Sequence, residues 1–466
     1  MGGGLQMEFR AILASAALAC VSLSGAAAFA AEECGPLKMV TGVKMMGMGN
    51  NRLIPVTING APKLLMLDTG GYMSQLSRDV TDEMKMKRLD SVINLADLSG
   101  NVSRSFVIAD TLQLGSLVAQ KQPLFVSPGN FEYGDGILSS DLLLRYDVEM
   151  DFPGRKLNYF SPDHCKGKVV YWKADAVAAV PITIKDKSRL IIPVKLDGHE
   201  FKAIIDTGAF RTTLTWPVAK RVFGLDPDSP GMKPLGNVNG DPKLASSAHT
   251  FSTLTFDGVS VTNPTVSIIP DRVAMADTTQ QTGNRARTNG EFYQTDEELI
   301  LGMDVMRHLR MYMAFKEGMA YISPGPMAPT PKTAEEALAE WDELVALSPS
   351  NPSMLNGRCY ERGLTKTNLE GALSDCELSL KLRPGDSSMI DSKGLVLYQL
   401  GRYQDAIDAF DQALKISPKL APSLFVRGLA KQKLGDTAGG ASDIAAAKAI
   451  NADIISSFRG SDIAEK

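Results

Sequence analysis

The chain has few of the groups that would indicate several common functions. Its 466 residues include only four histidines and five cysteines, and none of these residues is spaced as a pair of metal ligands. It carries 49 basic and 53 acidic residues, so it lacks the basic excess of a nucleic-acid-binding protein. It contains no Gly-x-Ser-x-Gly elbow and no phosphate-binding loop. We therefore expect no metal, no other cofactor and no nucleic-acid partner.

Long apolar runs are also missing after the N-terminus, where no stretch reaches the roughly 18 residues of a membrane-spanning helix. We therefore expect no membrane span after removal of the N-terminal segment. The composition, 44% hydrophobic and 22% charged, is typical of a globular protein. A chain of this length is too long for a single core and should form several domains.

The N-terminus has the pattern of a secretory signal. MEFR is followed by the apolar AILASAALACVSLSGAAAFA and then by AEE, which predicts a signal peptide over residues 1–30 with cleavage after Ala30. The alternative is a hydrophobic N-terminal helix that is retained. The signal implies a periplasmic or secreted protein of a bacterium. In such an oxidising compartment the remaining cysteines, an even number, can form two disulfides. These candidates are Cys34, Cys165, Cys359 and Cys376.

The chain repeats itself in its first two thirds. PVTINGAPKLLMLDTGG (55–71) aligns without a gap with PVKLDGHEFKAIIDTGA (193–209). Alternating apolar positions around a glycine turn predict a β-hairpin that leads into each Asp-Thr-Gly motif. A single short motif could occur by chance, but two copies within an aligned duplication are strong evidence for a shared role.

The duplication continues downstream. GILSSDLLLRYDVEMDFPGRKLNYFSP (136–162) parallels ELILGMDVMRHLRMYMAFKEGMAYISP (298–324). We interpret Asp141 and Asp304 as structural residues that cap the short helix after the strand. The polar segment 271–298 should be an exposed loop. The hairpins at 94–104 and 234–242 are either flaps over a substrate or ordinary solvent-exposed turns.

LLMLDTGG and AIIDTGAF, with the later ILSSD and LILGMD segments, make the chain similar to the retropepsin-like aspartic peptidases. The resemblance implies an all-β, two-lobed pair of acid-protease-like barrels, with lobe 1 at 31–170 and lobe 2 at 171–324. It implies that the two motifs meet at a pseudo-twofold axis and that Asp68 and Asp206 are catalytic. The expected activity is that of an aspartic endopeptidase acting on a peptide or protein substrate.

The resemblance also assigns supporting roles. Thr69 and Thr207 would hydrogen-bond across the axis, and Gly70 and Gly208 would allow the tight turn that directs backbone N–H groups onto the carboxylates. Chemically, two carboxylates held close together share one proton, because like charges at short range repel. The ionised member can then activate water while the protonated member donates to the substrate carbonyl, without a metal or a covalent intermediate.

The first lobe departs from the family pattern at two places. Gly71 stands where Ser or Ala is common, and Ser139-Ser140 replaces the usual Gly-containing pair, whereas Ala209 and Gly302 conform. Lobe 1 is therefore either fully competent or a degraded lobe that serves as support. The alternative for the whole chain is a non-catalytic scaffold, derived from a peptidase, that binds a peptide or a protein.

The period changes after a Pro-rich linker at 325–332. Prolines recur about every 34 residues, at Pro349, Pro384 and Pro418. The segments 353–384, 387–418 and 421–452 resemble tetratricopeptide repeats, and 335–349 looks like a leading half-repeat. We therefore expect an all-α helical array over 333–466. It either binds a protein partner or packs against the peptidase region.

The repeat alignment favours one disulfide pairing. Cys359 takes the place of the small residues Gly394 and Gly428, and Cys376 falls where Phe410 lies on the facing helix. A Cys359–Cys376 bridge is therefore reasonable, and elimination leaves Cys34–Cys165.

Overall fold

The structure is a computed structural model that describes most of the chain. The described residues are 9–11, 34–47, 50–96, 102–129, 131, 134–186, 188–237, 245–270, 297–325, 333–458, 461 and 463. Several predicted features fall largely outside them: the tips of both candidate flaps, the insert at 271–296, the linker from 326 onward and most of the signal segment. The chain forms two compact units, one of Met1–Phe131 with Asp135–Pro329 and one of Glu132–Gly134 with Thr330–Lys466.

The first lobe is built around a closed barrel. The first described strand of the chain is β1 (Phe9–Ala11), which lies within the segment 1–30 and belongs to the sheet of the second lobe. The described strands of the first lobe are β2 (Met39–Lys44), β3 (Leu53–Ile58), β4 (Ala61–Leu67), β5 (Gln75–Leu76), β6 (Leu89–Ala96), β7 (Val102–Leu114), β8 (Leu117–Val126), β9 (Gly136–Leu138), β10 (Asp147–Asp151) and β11 (Lys156–Phe160). Strands β3, β4, β9, β5, β8 and β7 pair in that order, and β7 also pairs with β3. Because β3 and β4 follow the alternating apolar pattern, their side chains fill this barrel.

The second lobe repeats this plan. Its described strands are β12 (Ala178–Pro181), β13 (Thr183–Lys185), β14 (Arg189–Leu196), β15 (His199–Ile205), β16 (Thr213–Thr215), β17 (Lys233–Asn237), β18 (Ala245–Thr250), β19 (Thr253–Phe256), β20 (Val259–Thr262), β21 (Thr265–Ile269), β22 (Glu297–Leu301), β23 (Leu309–Ala314) and β24 (Met319–Pro324). Strand β19 pairs with β14 and β18 pairs with β21, so together they correspond to the long β7. Strand β1 lies antiparallel to β20 at its edge.

A six-stranded sheet joins the two lobes. Its order is β12-β24-β23-β10-β11-β2, so each lobe contributes three strands. At its centre β10 and β23 run antiparallel, with Met150 opposite Met311. One continuous core of buried apolar side chains extends through both lobes, and it includes Leu67 and Ile205, which directly precede the two motif aspartates. The lobes therefore share a core and a sheet on which their motifs can be held face to face.

Short helices complete this unit. They are α1 (Arg78–Glu83), α2 (Ser140–Leu143), α3 (Trp216–Phe223) and α4 (Met303–Met306). A disulfide between Cys34 and Cys165, 131 residues apart in sequence, joins the segment before β2 to the segment after β11. This is the pairing that elimination favours.

The second unit is a helical array. Its helices are α5 (Ala334–Leu347), α6 (Pro352–Thr365), α7 (Leu369–Leu382), α8 (Ser387–Gln399), α9 (Tyr403–Ile416), α10 (Ala421–Lys433) and α11 (Thr437–Ile450), followed by a short 3-10 helix at Ile454–Phe458. Thr333 and Glu336 form a reciprocal capping box at the start of α5. Pairs α6/α7, α8/α9 and α10/α11 coincide with the predicted repeats. The β-rich first unit and this array confirm the predicted fold class.

Close packing within each helix pair depends on a small residue. A Cβ added at Gly394 would lie 2.6 Å from the ring of Phe410 on the facing helix. In the first repeat the same two positions hold Cys359 and Cys376, which form a disulfide. The covalent bridge therefore replaces the packing of glycine against phenylalanine that holds the second pair together.

The helical array contains one buried acid with a testable effect on stability. Asp391 on α8 is almost fully buried and accepts a hydrogen bond from the Ser423 hydroxyl on α10. Burial raises the pKa of the Asp391 carboxyl from 3.8 to about 6, against the opposing effect of that hydrogen bond. Since the folded pKa lies above the unfolded one, the stability that this group contributes is complete below the unfolded value and is lost as pH rises through about 6.

We therefore expect Asp391→Asn to raise the unfolding free energy of the array above neutral pH by up to about 3 kcal/mol, and to have little effect at acid pH. Urea unfolding of the full chain measures this effect when the helical circular dichroism signal is monitored both above neutral pH and at acid pH. Asp408→Asn, an exposed site on α9, is the matched control. A gain that is equal at both pH values would contradict the titration argument.

Candidate active site

The two motif aspartates lie at equivalent points of the two lobes. Asp68 follows β4, and its backbone N–H donates to the carbonyl of Leu138 at 2.9 Å. Asp206 follows β15, and its N–H donates to the carbonyl of Leu301 at 3.1 Å. Each acceptor ends a strand that runs parallel to the one before the aspartate. The buried strand ends therefore fix both aspartates at the seam between the lobes.

Backbone N–H groups surround each carboxylate. Oδ1 of Asp68 accepts from the N–H of Gly70 at 3.1 Å and of Gly71 at 2.9 Å. In the second lobe the Asp206 Oδ1 accepts from the two N–H groups that follow Thr207, at 2.9 and 3.0 Å. This is the turn that the resemblance implies. It presents donors to a negative charge and holds each carboxyl in one orientation.

The motif glycines have a second role that the sequence does not indicate. A Cβ added at Gly70 would lie 2.3 Å from the carboxyl carbon of Asp206, and one added at Gly208 would lie 2.5 Å from that of Asp68. Each carboxyl thus packs over the glycine of the other lobe. Any side chain at either glycine would push the two acids apart, so the glycines permit the close approach of the pair.

The two carboxyls share a hydrogen bond, and burial favours the protonated form of Asp206. Burial raises the pKa of the Asp206 carboxyl, against hydrogen bonds from Ala209, Gly208 and Asp68 and the positive charge of Arg189, all of which lower it. Two acids in direct contact cannot both be ionised without strong repulsion. The pair therefore titrates as a unit with one shared proton over an intermediate pH range.

The motif threonines cross the axis, as the resemblance implies. The Thr69 hydroxyl donates to the carbonyl of Ile205 at 2.7 Å and accepts from the N–H of Thr207 at 3.1 Å. The Thr207 hydroxyl donates to the carbonyl of Leu67 at 2.8 Å and accepts from the N–H of Thr69 at 3.0 Å. All four hydrogen bonds are buried, and they lock the two turns together.

Asp141 and Asp304 accept hydrogen bonds from the segment that follows each motif. Oδ1 of Asp141 accepts from both the N–H and the hydroxyl of Ser74, and Oδ1 of Asp304 accepts from both groups of Thr212. Asp304 also accepts from the N–H of Val305 in the first turn of α4. These carboxylates therefore tie the segment after each motif to the short helix, which agrees with a structural role. The prediction that they cap these helices is wrong, because the N-cap residues are Ser139 and Gly302.

Sequence reasoning missed an aromatic residue that closely follows the second motif. Phe210 lies four residues after Asp206, and its side chain is 57% exposed. Its backbone is nevertheless fixed, because the buried Asn50 of the first lobe donates from Nδ2 to its carbonyl at 2.9 Å. The aligned position in the first lobe is Tyr72. The aromatic residues at matching positions of the two copies were the sequence signal that could have identified Phe210.

Among the described residues, no group of three or more His, Cys, Asp or Glu side chains is placed to hold a metal ion. Over the same parts of the chain, no helix has the length and apolar character needed to cross a membrane.

Comparisons with known proteins agree with this geometry. Residues 54–148 and 192–305 match a family described as aspartyl protease, and residues 394–435 match the TPR repeat. The chain carries an aspartyl protease domain in two segments, followed by a tetratricopeptide repeat region. The two matched segments contain Asp68 and Asp206, respectively. A search of curated proteins gives no match.

The similar solved structures include one described as MamA MSR-1 C2, 16% identical, which covers 26% of this chain and 68% of its own with a TM-score of 0.23. Another is a thermophilic TPR protein of Thermus thermophilus, 18% identical, covering 27% of this chain and 71% of its own with a TM-score of 0.25.

The two departures in the first lobe of the aspartyl protease domain complement one another. A Cβ added at Gly71 would lie 2.5 Å from the hydroxyl oxygen of Ser139, so Ser139 fills the space that a side chain at 71 would take. In the second lobe Ala209 has a side chain and Gly302 has none, and a Cβ added at Gly302 would lie 2.3 Å from the backbone carbonyl carbon of Arg211. In the first lobe the Ser139 hydroxyl therefore takes the place of the side chain that residue 71 lacks.

Proposed function

We propose that the chain is an exported aspartic endopeptidase that hydrolyses peptide bonds with a water molecule activated between Asp68 and Asp206. The observation that carries the proposal is the hydrogen bond between the two motif carboxyls, each of which packs over the glycine of the other lobe. The domain boundaries that accompany it are lobe 1 at 31–170, lobe 2 at 171–324, a linker at 325–332 and a repeat domain at 333–466.

The geometry supports a mechanism in which one proton is shared by the pair. The ionised carboxylate removes a proton from water, and the oxygen of that water forms a bond to the carbonyl carbon of the substrate. The protonated carboxyl gives its proton to the carbonyl oxygen. In the second step the carboxyl that took the proton from water gives it to the amine as the C–N bond breaks. A hydroxyl of the intermediate returns its proton to the other carboxylate, so the pair again holds one shared proton. Because the threonine bonds fix both turns, little rearrangement is needed as charge moves.

We further propose that the helical array binds a protein partner and that the protein is exported. Tetratricopeptide repeats suggest protein interaction, and the array contains three helix pairs with a leading helix. The two disulfides, together with the signal pattern at 1–30, support an oxidising compartment such as the periplasm.

Digestion of an unfolded protein tests the proposed function directly. The purified full chain should generate new N-termini in a reduced, unfolded substrate, with activity on the acid side of neutrality. Because both aspartates come from one chain, specific activity should not fall on dilution. If no cleavage occurs at any pH from acid to neutral, the peptidase proposal is wrong and the scaffold alternative is favoured.

Phe210 gives a prediction about substrate binding. An exposed aromatic ring on a fixed backbone four residues after Asp206 can contact an apolar side chain of the substrate at little entropic cost. We expect Phe210→Ala to raise KM by about tenfold with little change in kcat, because the ring binds ground state and transition state alike. Steady-state cleavage of a peptide with bulky apolar residues measures this.

The matched control is Val118→Ala, which removes a side chain of similar exposure, 53%, from β8. It should leave both constants unchanged. A fall in kcat without a rise in KM for Phe210→Ala would contradict a binding role for the ring.

A further inference from the structure

Ser139 holds a buried hydroxyl beside the catalytic pair. The residue is fully buried at the end of β9, and its Oγ has no hydrogen-bond partner among the described residues. The Cβ position of Gly71 that lies 2.5 Å from this oxygen lies 3.4 Å from the carboxyl carbon of Asp68. The hydroxyl oxygen therefore fills the space that a side chain at residue 71 would take, and this space borders the Asp68 carboxyl.

In the second lobe no hydroxyl stands at the equivalent position near Asp206. The position equivalent to Ser139 is Gly302, and the position equivalent to Gly71 is Ala209, which adds only a methyl group. Two features therefore distinguish the surroundings of the two acids: this hydroxyl near Asp68, and the positive charge of Arg189, which lowers the pKa of Asp206. An acid that has this donor nearby differs chemically from its partner, even though both receive equivalent N–H donors from their own turns.

A buried hydroxyl without a partner is unfavourable, and donation to an ion relieves the cost. A hydroxyl that donates to a carboxylate stabilises the ionised form. We propose that Ser139 is a positioning residue for Asp68, whose hydroxyl turns toward the Asp68 carboxylate and thereby places the shared proton on Asp206. The inference rests on the proposed function, and it assigns distinct roles to the two acids.

The roles follow from where the proton lies. Asp68, ionised, takes the proton from water as the water oxygen bonds to the carbonyl carbon. Asp206, protonated, transfers its proton to the carbonyl oxygen. Burial raises the pKa of the Asp206 carboxyl, against the hydrogen bond with Asp68 and the positive charge of Arg189, both of which lower it. A substrate would therefore bind with its carbonyl oxygen toward Asp206.

Three variants separate the hydroxyl from the packing. Ser139→Ala removes the hydroxyl and keeps the Cβ. The double variant Gly71→Ala/Ser139→Gly gives lobe 1 the same residues as lobe 2 and also lacks the hydroxyl. The double variant Gly71→Ser/Ser139→Gly returns a hydroxyl to the same space from the other residue.

We expect the first two variants to lose activity selectively on the acid side, where kcat/KM should fall about tenfold, corresponding to a rise of about one unit in the lower apparent pKa of the pair. The plateau value should change little. The third variant should recover the wild-type pH profile. Ser267→Ala, which removes another buried hydroxyl without a described partner, is the control and should not shift the profile.

A second measurement keeps the inference testable whatever the activity. The aspartate carboxyl carbons can be titrated by NMR. The lower of the two apparent pKa values of the pair should be higher in Ser139→Ala than in the wild-type chain. Hydrolysis by the wild type with an identical pH profile in Ser139→Ala would overturn the role of Ser139 and leave the proposed function standing. A wild type that hydrolyses nothing would defeat the proposed function, and an unchanged NMR titration would then defeat the inference separately.

Discussion

Replacement of Asp206 by asparagine should lower kcat for peptide hydrolysis by at least about a thousandfold, and Asp68→Asn should do the same. Asparagine has the shape of aspartate, and its Oδ1 can still accept the N–H groups of Gly208 and Ala209 that now bind the carboxylate. The turn should therefore persist. What is lost is the proton shared by the pair, and with it both the activation of water and the protonation of the carbonyl oxygen.

The variant also separates activity from stability. Burial raises the pKa of Asp206 in the folded chain, so the stability that its carboxyl contributes is complete at low pH and is lost as pH rises through the raised value. Asp206→Asn removes a group that is costly to ionise. At neutral pH it should therefore unfold at no lower urea concentration than the wild type, while its activity is lost.

Two further variants test whether the pair of acids is the catalyst. The double variant Asp68→Asn/Asp206→Asn should be about as inactive as either single variant, because the two acids act as one unit. Asp228→Asn, at an exposed turn of the second lobe, should retain full activity. Cleavage at more than about a tenth of the wild-type rate by either single variant would show that the acids are not the catalyst.

The sequence predicted that the two motifs meet because the relevant information is local and duplicated. Both Asp-Thr-Gly motifs lie at the end of an alternating apolar hairpin, and the same register occurs twice. An Asp at the end of a buried strand in each of two similar lobes can meet its copy only near their symmetry axis. The crossed bonds of Thr69 and Thr207, and the Cys359–Cys376 pairing, followed from the family pattern and from repeat alignment in the same way.

What the sequence could not predict depends on contacts between segments far apart in the chain. Gly70 is read from sequence as a residue that permits a turn, yet the contact that excludes a side chain there is the carboxyl of Asp206 in the other lobe. Gly71 and Ser139 each look like a departure from the family pattern when taken singly. Their compensation is visible only once β9 lies beside the turn, because no periodicity relates the two positions.

The second large effect should come from Thr207→Val. Valine has nearly the shape of threonine, so the core around it stays filled, but it can neither donate to the carbonyl of Leu67 nor accept from the N–H of Thr69. Both groups are buried, and the loss of their partner should cost about 2 to 4 kcal/mol in unfolding free energy. Activity should also fall by about a hundredfold, because the two turns no longer hold the carboxyls in one geometry.

Urea unfolding followed by intrinsic fluorescence measures the first effect, and peptide cleavage measures the second. Thr207→Ser keeps the hydroxyl and should retain most of the stability and of the activity. Thr183→Val, on the exposed face of β13, should change neither quantity. The crossed arrangement adds a stricter test. Because the Thr69 and Thr207 hydroxyls serve the same pair of turns, the double variant Thr69→Val/Thr207→Val should lose less stability than the sum of the single losses. Strict additivity would mean that the two threonines act independently, and the four bonds would then not form one lock between the lobes.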